Sequence, residues 1–216
     1  MEIAADPKLA LPEHFPSLSV CLEQCIHFER QPVSGPAAQR GTRIHHYIFG
    51  VLTGIFPFAE VPRSYRKAVI RAANCAQEIG GELLLAEEEI PAQLGETIIS
   101  CMPDFVLESA EGITAINWKT GHERDYRIAQ RFYTVALCQR YQVAEIAIVE
   151  CYVDLNYAKS YRLKFDRSLE CAQQLLHRFE SRNAELAQNC EYCRWCALGP
   201  TGNRSCAVGC AELAMT

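Results

Sequence analysis

The strongest constraint on the fold is a central run of three strand-like stretches between residues 82 and 121, ELLLAEEEI, TIISCMPDFVLES and GITAINWKTG. Each contains a run of apolar residues, and the second and third are also rich in β-branched residues, a composition typical of strands that bury at least one face. Apolar residues with helical spacing precede them, at about 41–56 and 65–79, and the pair Gly80-Gly81 predicts the end of the second helix. The chain is therefore expected to begin with helices, followed by a central set of strands.

Alternation of strands and helices continues after the central run. Residues 126 to about 142 predict a helix, EIAIVECYVDL and KSYRLKF predict strands, and a long helix is expected from about 168 to 188. We find no internal repeat and no linker that would divide the chain. The order predicts a single α/β or α+β domain over residues 1–216, with a metal-binding appendage at its C-terminal end.

Composition excludes several classes of protein. The chain has 216 residues, of which 49% are apolar, so there is ample material for a core and disorder is not expected. A net charge of −5 argues against a surface coated in positive charge for bulk nucleic-acid binding, although a local basic groove remains compatible with it. No run approaches the roughly 20 apolar residues of a membrane span, and no signal peptide is evident. We expect a soluble, cytoplasmic protein with no membrane partner.

Twelve cysteines are many for such a chain, and inside a cell clustered cysteines indicate metal ligands before disulfides. The tail CEYCRWCALGPTGNRSCAVGC contains a C-x-x-C pair, Cys193 and Cys196, followed by Cys206. Cys25 or Cys21 could supply a fourth thiolate and tie the two ends of the chain together. Zinc and an iron–sulfur cluster both accept four thiolates, so the spacing leaves both open. Five further cysteines are interspersed with apolar residues and are expected in the core: Cys75, Cys101, Cys138, Cys151 and Cys171.

Polar residues interrupt the two central strands CMPDFVL and ITAINWK. Asp104 stands among apolar residues, where an ionised carboxylate needs a cation or hydrogen bonds. Asn117 and Lys119 share one face of their strand, because strand side chains alternate with period two. If the strands pair as a hairpin, a divalent cation could bind Asp104, the side chain of Asn117 and the carbonyl of Trp118, with Lys119 orienting the attacking water. An ordinary hairpin with polar ends is the alternative.

The segment RGTRIHHYI offers a further ligand. His45 is offset from the apolar line of its helix and lies four residues after Gly41, on the same helical face. A neutral imidazole there could complete a metal shell, with Arg40 and Arg43 close by to meet substrate phosphates. A His-His pair on an ordinary surface is the alternative.

Taken in order, these segments resemble a known family. SLSVCLEQC, RGTRIH, PDFV, INWKTG, QRFYTVAL and the cysteine tail are similar to the motifs of RecB-like PD-(D/E)XK nucleases that contain an iron–sulfur cluster. That branch includes CRISPR-associated exonucleases and the nuclease domain of AddB-type repair proteins. The resemblance spans about residues 17–210. It implies an α/β, restriction-endonuclease-like core with a mixed central sheet flanked by helices, and phosphodiester cleavage dependent on Mg²⁺ or Mn²⁺.

The resemblance also assigns roles to individual residues. His45 corresponds to the family's metal-binding histidine, Asp104 to its first acidic ligand and Lys119 to its catalytic lysine. Gln130 and Tyr133 correspond to the motif that follows the core strands, where both could reach substrate phosphates or bases, or simply pack.

The same resemblance implies a [4Fe–4S] cluster, with zinc as the alternative at the cysteine site. Its ligands correspond to Cys25, Cys193, Cys196 and Cys206, so residues 17–30 and 190–210 together form the expected cluster site. The spare candidates are Cys190, Cys210 and Cys21.

One departure from the family bears on activity. Asn117 occupies the position of the second acidic ligand, which removes a negative charge from the metal site. The leading hypothesis is a metal-dependent deoxyribonuclease, an exonuclease on single strands or DNA ends, whose activity is reduced or abolished by Asn117. The alternatives are an inactive DNA- or partner-binding subunit of a repair or CRISPR-adaptation complex, and a zinc-stabilised scaffold. Whether Asn117 is natural or engineered is open.

Overall fold

The computed structural model describes residues 35–124, 126–180, 187–188 and 205–206. Its first helix, α1, spans Pro36–Leu52, and a short 3-10 helix over Phe58–Glu60 leads to α2, Arg63–Ile79. The expectation that the first helix reaches residue 56 is wrong, since the chain turns at Gly54 with a positive φ and Ile55 is 65% exposed. The predicted end of the second helix at Gly80 is confirmed.

The first two central stretches each form two strands separated by a turn. The observed strands are β1 Glu82–Ala86, β2 Ile90–Leu94, β3 Thr97–Cys101, β4 Phe105–Ser109 and β5 Gly112–Lys119. The breaks fall at Glu87, which has φ 48°, and at the bend that contains Asp104. Both breaks therefore coincide with acidic residues, Glu87 directly after β1 and Asp104 directly before the largely buried β4.

The second half of the chain follows the predicted order. It contains α3 Arg127–Tyr141, β6 Glu145–Tyr152, β7 Tyr157–Lys164 and α4 Phe165–Glu180. The prediction that the last helix extends to residue 188 is wrong, because β8, Ala187–Gln188, pairs antiparallel with β9, Ser205–Cys206. Among the described residues, no helix is both long and apolar enough to cross a bilayer.

The main sheet has five strands in the order β1-β4-β5-β6-β7, and β2 and β3 form a separate hairpin. Only β5 and β6 are parallel among the pairs of this sheet; the others are antiparallel. The parallel pair needs a crossover, which α3 provides. The predicted α/β architecture with a mixed central sheet flanked by helices is thus confirmed.

A hydrophobic core lies on each face of this sheet. One contains Ile48 of α1 and Trp118 of β5, packed with α2. The other contains Ala115 of β5 and Phe132 of α3, packed with α4 and the β2–β3 hairpin. The expectation for the scattered cysteines is confirmed: four are buried, and Cys171 is partly buried against the second core. Alternate residues of β5 therefore contribute to opposite cores, so its odd-numbered residues share one face.

Candidate metal centre

A row of polar residues crosses the sheet at the level where several strands end. Asn117 of β5 pairs with Glu150 of β6, which pairs with Lys159 of β7. On the other side of Asn117, Asp104 lies one residue before the first paired residue of β4, and Glu87 lies one residue after the last paired residue of β1. The Glu87 amide donates a hydrogen bond to the Asp104 carbonyl at 3.0 Å. We call Glu87, Asp104, Asn117, Glu150 and Lys159 the polar row. Adjacent members are separated by about one strand spacing, roughly 4.8 Å.

Three potential ligands converge at one end of the polar row. His45 of α1 lies with its Nδ1 3.3 Å from Oδ1 of Asp104. One ligand atom from each of His45, Glu87 and Asp104 lies within 4.8 Å of the other two, and none of the three residues is buried. An imidazole with two carboxylates is a donor set that suits divalent cations such as Mn²⁺ and Mg²⁺. The predicted pairing of His45 with Asp104 in space is therefore present, with Glu87 as an addition.

Backbone contacts fix Asp104. Its Oδ2 accepts a hydrogen bond from the amide of Trp118 at 2.7 Å, which leaves Oδ1 directed to His45. The indole of Trp118 is buried against Phe105, so the strand that supplies this amide is firmly packed. The backbone and the packing of β5 thus hold this carboxylate in one orientation.

Electrostatics at this cluster reflect close carboxylates. Burial lowers the pKa of His45, but the hydrogen bond and charge of Asp104 outweigh it and raise the pKa overall, while Lys119 opposes them. Burial and the charge of Asp104 raise the pKa of Glu87. Two carboxylates that repel each other in this way are stabilised by a positive charge placed between them.

Lys119 lies beside this cluster, at the end of β5. Its ammonium group is 4.1 Å from the centroid of the Tyr126 ring, close enough for a cation–π contact. This contact restricts a long, flexible side chain near the carboxylates. The prediction that Asp104, Asn117 and Lys119 lie at one end of a hairpin is consistent with the observed β4–β5 pairing.

Asn117 itself is 2% exposed and occupies the middle of the polar row. Its β6 neighbour Glu150 is equally buried, and both carboxylate oxygens of Glu150 accept hydrogen bonds, from Gln130 at 2.7 Å and from the Tyr152 hydroxyl at 2.8 Å. Burial and the bond to Glu150 raise the pKa of Tyr152. Gln130, predicted as a substrate contact, therefore holds a buried carboxylate.

A cleft of about 410 Å³ opens beside the polar row. Tyr126 and Glu150 line it, so it adjoins both Lys119 and Asn117. Its cationic lining residues are Arg124, Arg127 and Lys159, and Tyr161 adds an aromatic ring. Gln130 and Glu123 complete the lining, and Glu123 pairs with Lys159. Such a mixture of cations and aromatic rings suits a nucleic-acid strand.

Other predicted residues have structural contacts. Arg40 forms two hydrogen bonds of 2.8 Å with Asp154, whose carboxylate also accepts from the amide of Gly121 at 2.8 Å. Tyr133 is partly buried and packs against the second core. Arg43 is exposed on α1. Substrate contacts by Arg40, Arg43 and Tyr133 stay predictions.

The expected cluster ligands Cys25, Cys193 and Cys196 lie outside the described residues. The backbone of Cys206 is in β9, opposite Ala187. The predicted iron–sulfur site therefore stays a prediction.

Glu87, Glu150 and, apart from Gln130, the lining of the cleft were not anticipated from the sequence. Three consecutive glutamates after the apolar LLLA were the only local signal for Glu87, and they do not distinguish it from Glu88 and Glu89. The position of Glu150 depends on the parallel register with β5, which no local pattern contains.

Comparisons with known proteins give the following. No family model and no curated protein matches the sequence. Among solved structures, the chain is similar to a protein from Eubacterium rectale named "Putative exonuclease", with 12% identity, a TM-score of 0.46 and 76% of each chain covered. It is also similar to SSO0001, with 13% identity, a TM-score of 0.37, and coverage of 69% of this chain and 61% of that one.

Proposed function

We propose that this protein is a divalent-metal-dependent DNA nuclease of the PD-(D/E)XK type, an exonuclease that acts on single strands or DNA ends. The observation that carries the proposal is the convergence of His45 and Asp104, with Glu87, beside Lys119. An imidazole, two carboxylates and a neighbouring ammonium group are the side chains that metal-assisted phosphodiester hydrolysis uses.

The donor set fits Mg²⁺ or Mn²⁺, which His45 and Asp104 would hold, with Asn117 and the carbonyl of Trp118 as further oxygen donors. When bound, such a cation polarises a phosphate oxygen and lowers the pKa of a bound water. Lys119 would orient that water and offset phosphate charge, and Tyr126 keeps its ammonium group in place.

The cleft beside Lys119 supports DNA as the substrate. Three cationic side chains, two glutamates and two tyrosines line it, and one of the cations, Lys159, is paired with Glu123. Arg124 and Arg127 would meet the phosphate backbone locally, in a protein whose net charge is negative. We propose a cytoplasmic location for the protein, where a soluble chain would have direct access to DNA.

Asn117 favours one second candidate, a subunit of a repair or CRISPR-adaptation complex that binds DNA or a protein partner without cutting. Position 117 carries an amide in place of the expected acid, at the centre of the polar row. The two functions differ in whether phosphodiester bonds break, so one assay separates them.

The test is cleavage of end-labelled single- and double-stranded DNA in Mg²⁺ or Mn²⁺. We expect Asp104→Asn and Lys119→Met to abolish cutting and the matched control Asp166→Asn, which changes an exposed residue on α4, to retain it. Cutting only by Asn117→Asp would also support a nuclease site, with Asn117 as its off switch. If the unaltered chain and Asn117→Asp both bind DNA and neither cuts it, the non-cutting binding subunit becomes the supported function in place of the nuclease.

We also propose that Cys25, Cys193, Cys196 and Cys206 bind a [4Fe–4S] cluster that joins the two ends of the chain. Visible absorbance and iron, sulfide and zinc analysis of anaerobically purified protein test it. Cys193→Ser is expected to remove the colour and lower the melting temperature. A colourless protein that contains zinc would establish the zinc alternative.

A further inference from the structure

The candidate metal centre has one carboxylate fewer on β5 than the sequence comparison with the nuclease motifs leads us to expect. The expected acid at position 117 is an amide, which cannot contribute the negative charge that hard cations prefer. Two buried or partly buried carboxylates elsewhere in the polar row, Glu87 and Glu150, could supply it, one on each side of the pair Asp104 and Asn117.

Distance decides between these two carboxylates. Glu87 follows β1, which is hydrogen-bonded to β4, so it is one strand spacing from Asp104. Glu150 is on β6, two strand spacings from Asp104, or roughly 10 Å. A single cation on His45 and Asp104 is therefore within reach of Glu87, whose oxygen already lies within 4.8 Å of theirs, and not of Glu150.

Hydrogen bonding leads to the same choice. Both oxygens of Glu150 accept bonds from buried partners, Gln130 and Tyr152, and moving one to a cation would break a buried bond. Glu87 is partly exposed and lies next to Asp104, whose negative charge is unfavourable for it without a cation.

The backbone at Glu87 adds an independent observation. Its φ of 48° lies in the left-handed region, which is uncommon for a residue with a long side chain. The peptide before it is still hydrogen-bonded to Asp104, and the chain then leaves the main sheet for β2. This turn brings the carboxylate to the imidazole of His45, where an extended residue would continue along the strand.

We propose that Glu87 is the second carboxylate ligand of the cation, in place of the acid missing at position 117. The cation site is then His45, Asp104 and Glu87, on the α1 side of the polar row. The charge of the site is kept, and the carboxylate is transferred from β5 to the turn after β1. This inference rests on the proposed metal-dependent function.

The test is Mn²⁺ binding to the full chain, measured by electron paramagnetic resonance of the free ion and by calorimetry. Glu87→Gln is expected to weaken Mn²⁺ binding by about tenfold or more, because a carboxylate next to a divalent cation is lost. Glu96→Gln, the same change at an exposed position beyond β2, is the matched control and should bind as the unaltered chain does. Unchanged binding by Glu87→Gln would overturn the proposal.

Stability without metal separates a ligand from a structural residue. Glu87 is beside Asp104, so Glu87→Gln relieves repulsion and should melt at the same or a higher temperature in chelator, while losing most of its stabilisation by Mn²⁺. A lower melting temperature in chelator together with unchanged Mn²⁺ stabilisation would assign Glu87 a structural role instead.

Returning the charge to β5 tests the exchange directly. The double variant Glu87→Gln/Asn117→Asp is expected to bind Mn²⁺ more tightly than Glu87→Gln alone, and equal binding would refute the exchange. Failure here is distinguishable from failure of the proposed function. If Asp104→Asn loses Mn²⁺ and Glu87→Gln does not, only the ligand assignment is wrong; if the unaltered chain does not bind Mn²⁺, the metal-dependent function fails as well.

Discussion

Replacing Asn117 by aspartate should destabilise the protein in the absence of metal. Asn117 is 2% exposed and has a carboxylate on each side, Asp104 and Glu150, at about one strand spacing, roughly 4.8 Å. Two unit charges at that distance repel each other by about 1 kcal/mol in water and by about 3 to 4 kcal/mol at an effective dielectric constant of 20. Two such neighbours give a penalty of at least about 2 kcal/mol.

Protonation limits this penalty. An aspartate with an ordinary pKa of about 3.9 can remain neutral at pH 7 at a cost of about 4 kcal/mol. We therefore expect Asn117→Asp to lower the free energy of unfolding by about 2 to 4 kcal/mol at pH 7 in chelator. Mn²⁺ should restore part of this loss, because a cation bound to Asp104 also compensates the new carboxylate.

The pH dependence of the deficit has a definite sign. The new carboxyl group should have a raised pKa in the folded state, because its neighbours are carboxylates. The loss of unfolding free energy relative to the unaltered chain is therefore absent below the ordinary aspartate pKa. It grows by up to about 1.4 kcal/mol per pH unit as the pH rises, and levels off above the folded-state pKa. Urea denaturation followed by circular dichroism between about pH 5 and pH 8 measures it. Asn74→Asp on the exposed side of α2 is the matched control. Equal stability of Asn117→Asp and this control in chelator at pH 7 would refute the electrostatic reasoning for the polar row.

Three further changes test other contacts. Arg40→Ala should lower the free energy of unfolding by at most about 1 kcal/mol, since the pair with Asp154 is largely exposed. Arg40 lowers the pKa of Asp154, so the stability difference between variant and unaltered chain should vanish as acid titrates that carboxylate. A difference that grows in acid would contradict the pairing. Gln130→Leu should cost about 1 to 3 kcal/mol in urea denaturation, because buried Glu150 loses a donor, and no loss would mean that water replaces it. Gly81→Ala should lower the free energy of unfolding by about 3 kcal/mol or more, as measured in thermal melts. The reason is that φ of Gly81 is +103° and the new Cβ would lie 2.2 Å from the carbonyl oxygen of Glu108 in β4. A near-neutral result would require this turn to rearrange.

The fold followed from the sequence where the pattern is local. Helical spacing located α2 and α3, and the glycines at 80 and 81 located a helix end, because both signals depend on a few consecutive residues. The splitting of two central stretches was missed. ELLLAEEEI predicts one strand, whereas its three glutamates, residues 87–89, separate β1 from β2, with a left-handed turn at Glu87.

The candidate metal centre was partly predictable for the same reason. His45 and Asp104 were identified from their own segments, and the structure brings them to 3.3 Å. Glu87 and Glu150 join them through pairing between strands that are distant in sequence, and register is set by packing of whole faces. Gln130 was identified with a role toward substrate, whereas its bond to Glu150 depends on that same register.

The edge strand β7 has a consequence for how copies of this chain behave in concentrated solution. An unpaired strand edge is a template for a second sheet, and β7 is the last strand of the order β1-β4-β5-β6-β7. Its exposed positions include Arg162 and Lys164, and Lys159 pairs with Glu123 beside it. Arg162 is also paired, with Glu111 and Glu145. A second β7 docked edge to edge would have to disturb these ion pairs or crowd charged side chains, which disfavours extension of the sheet into aggregates.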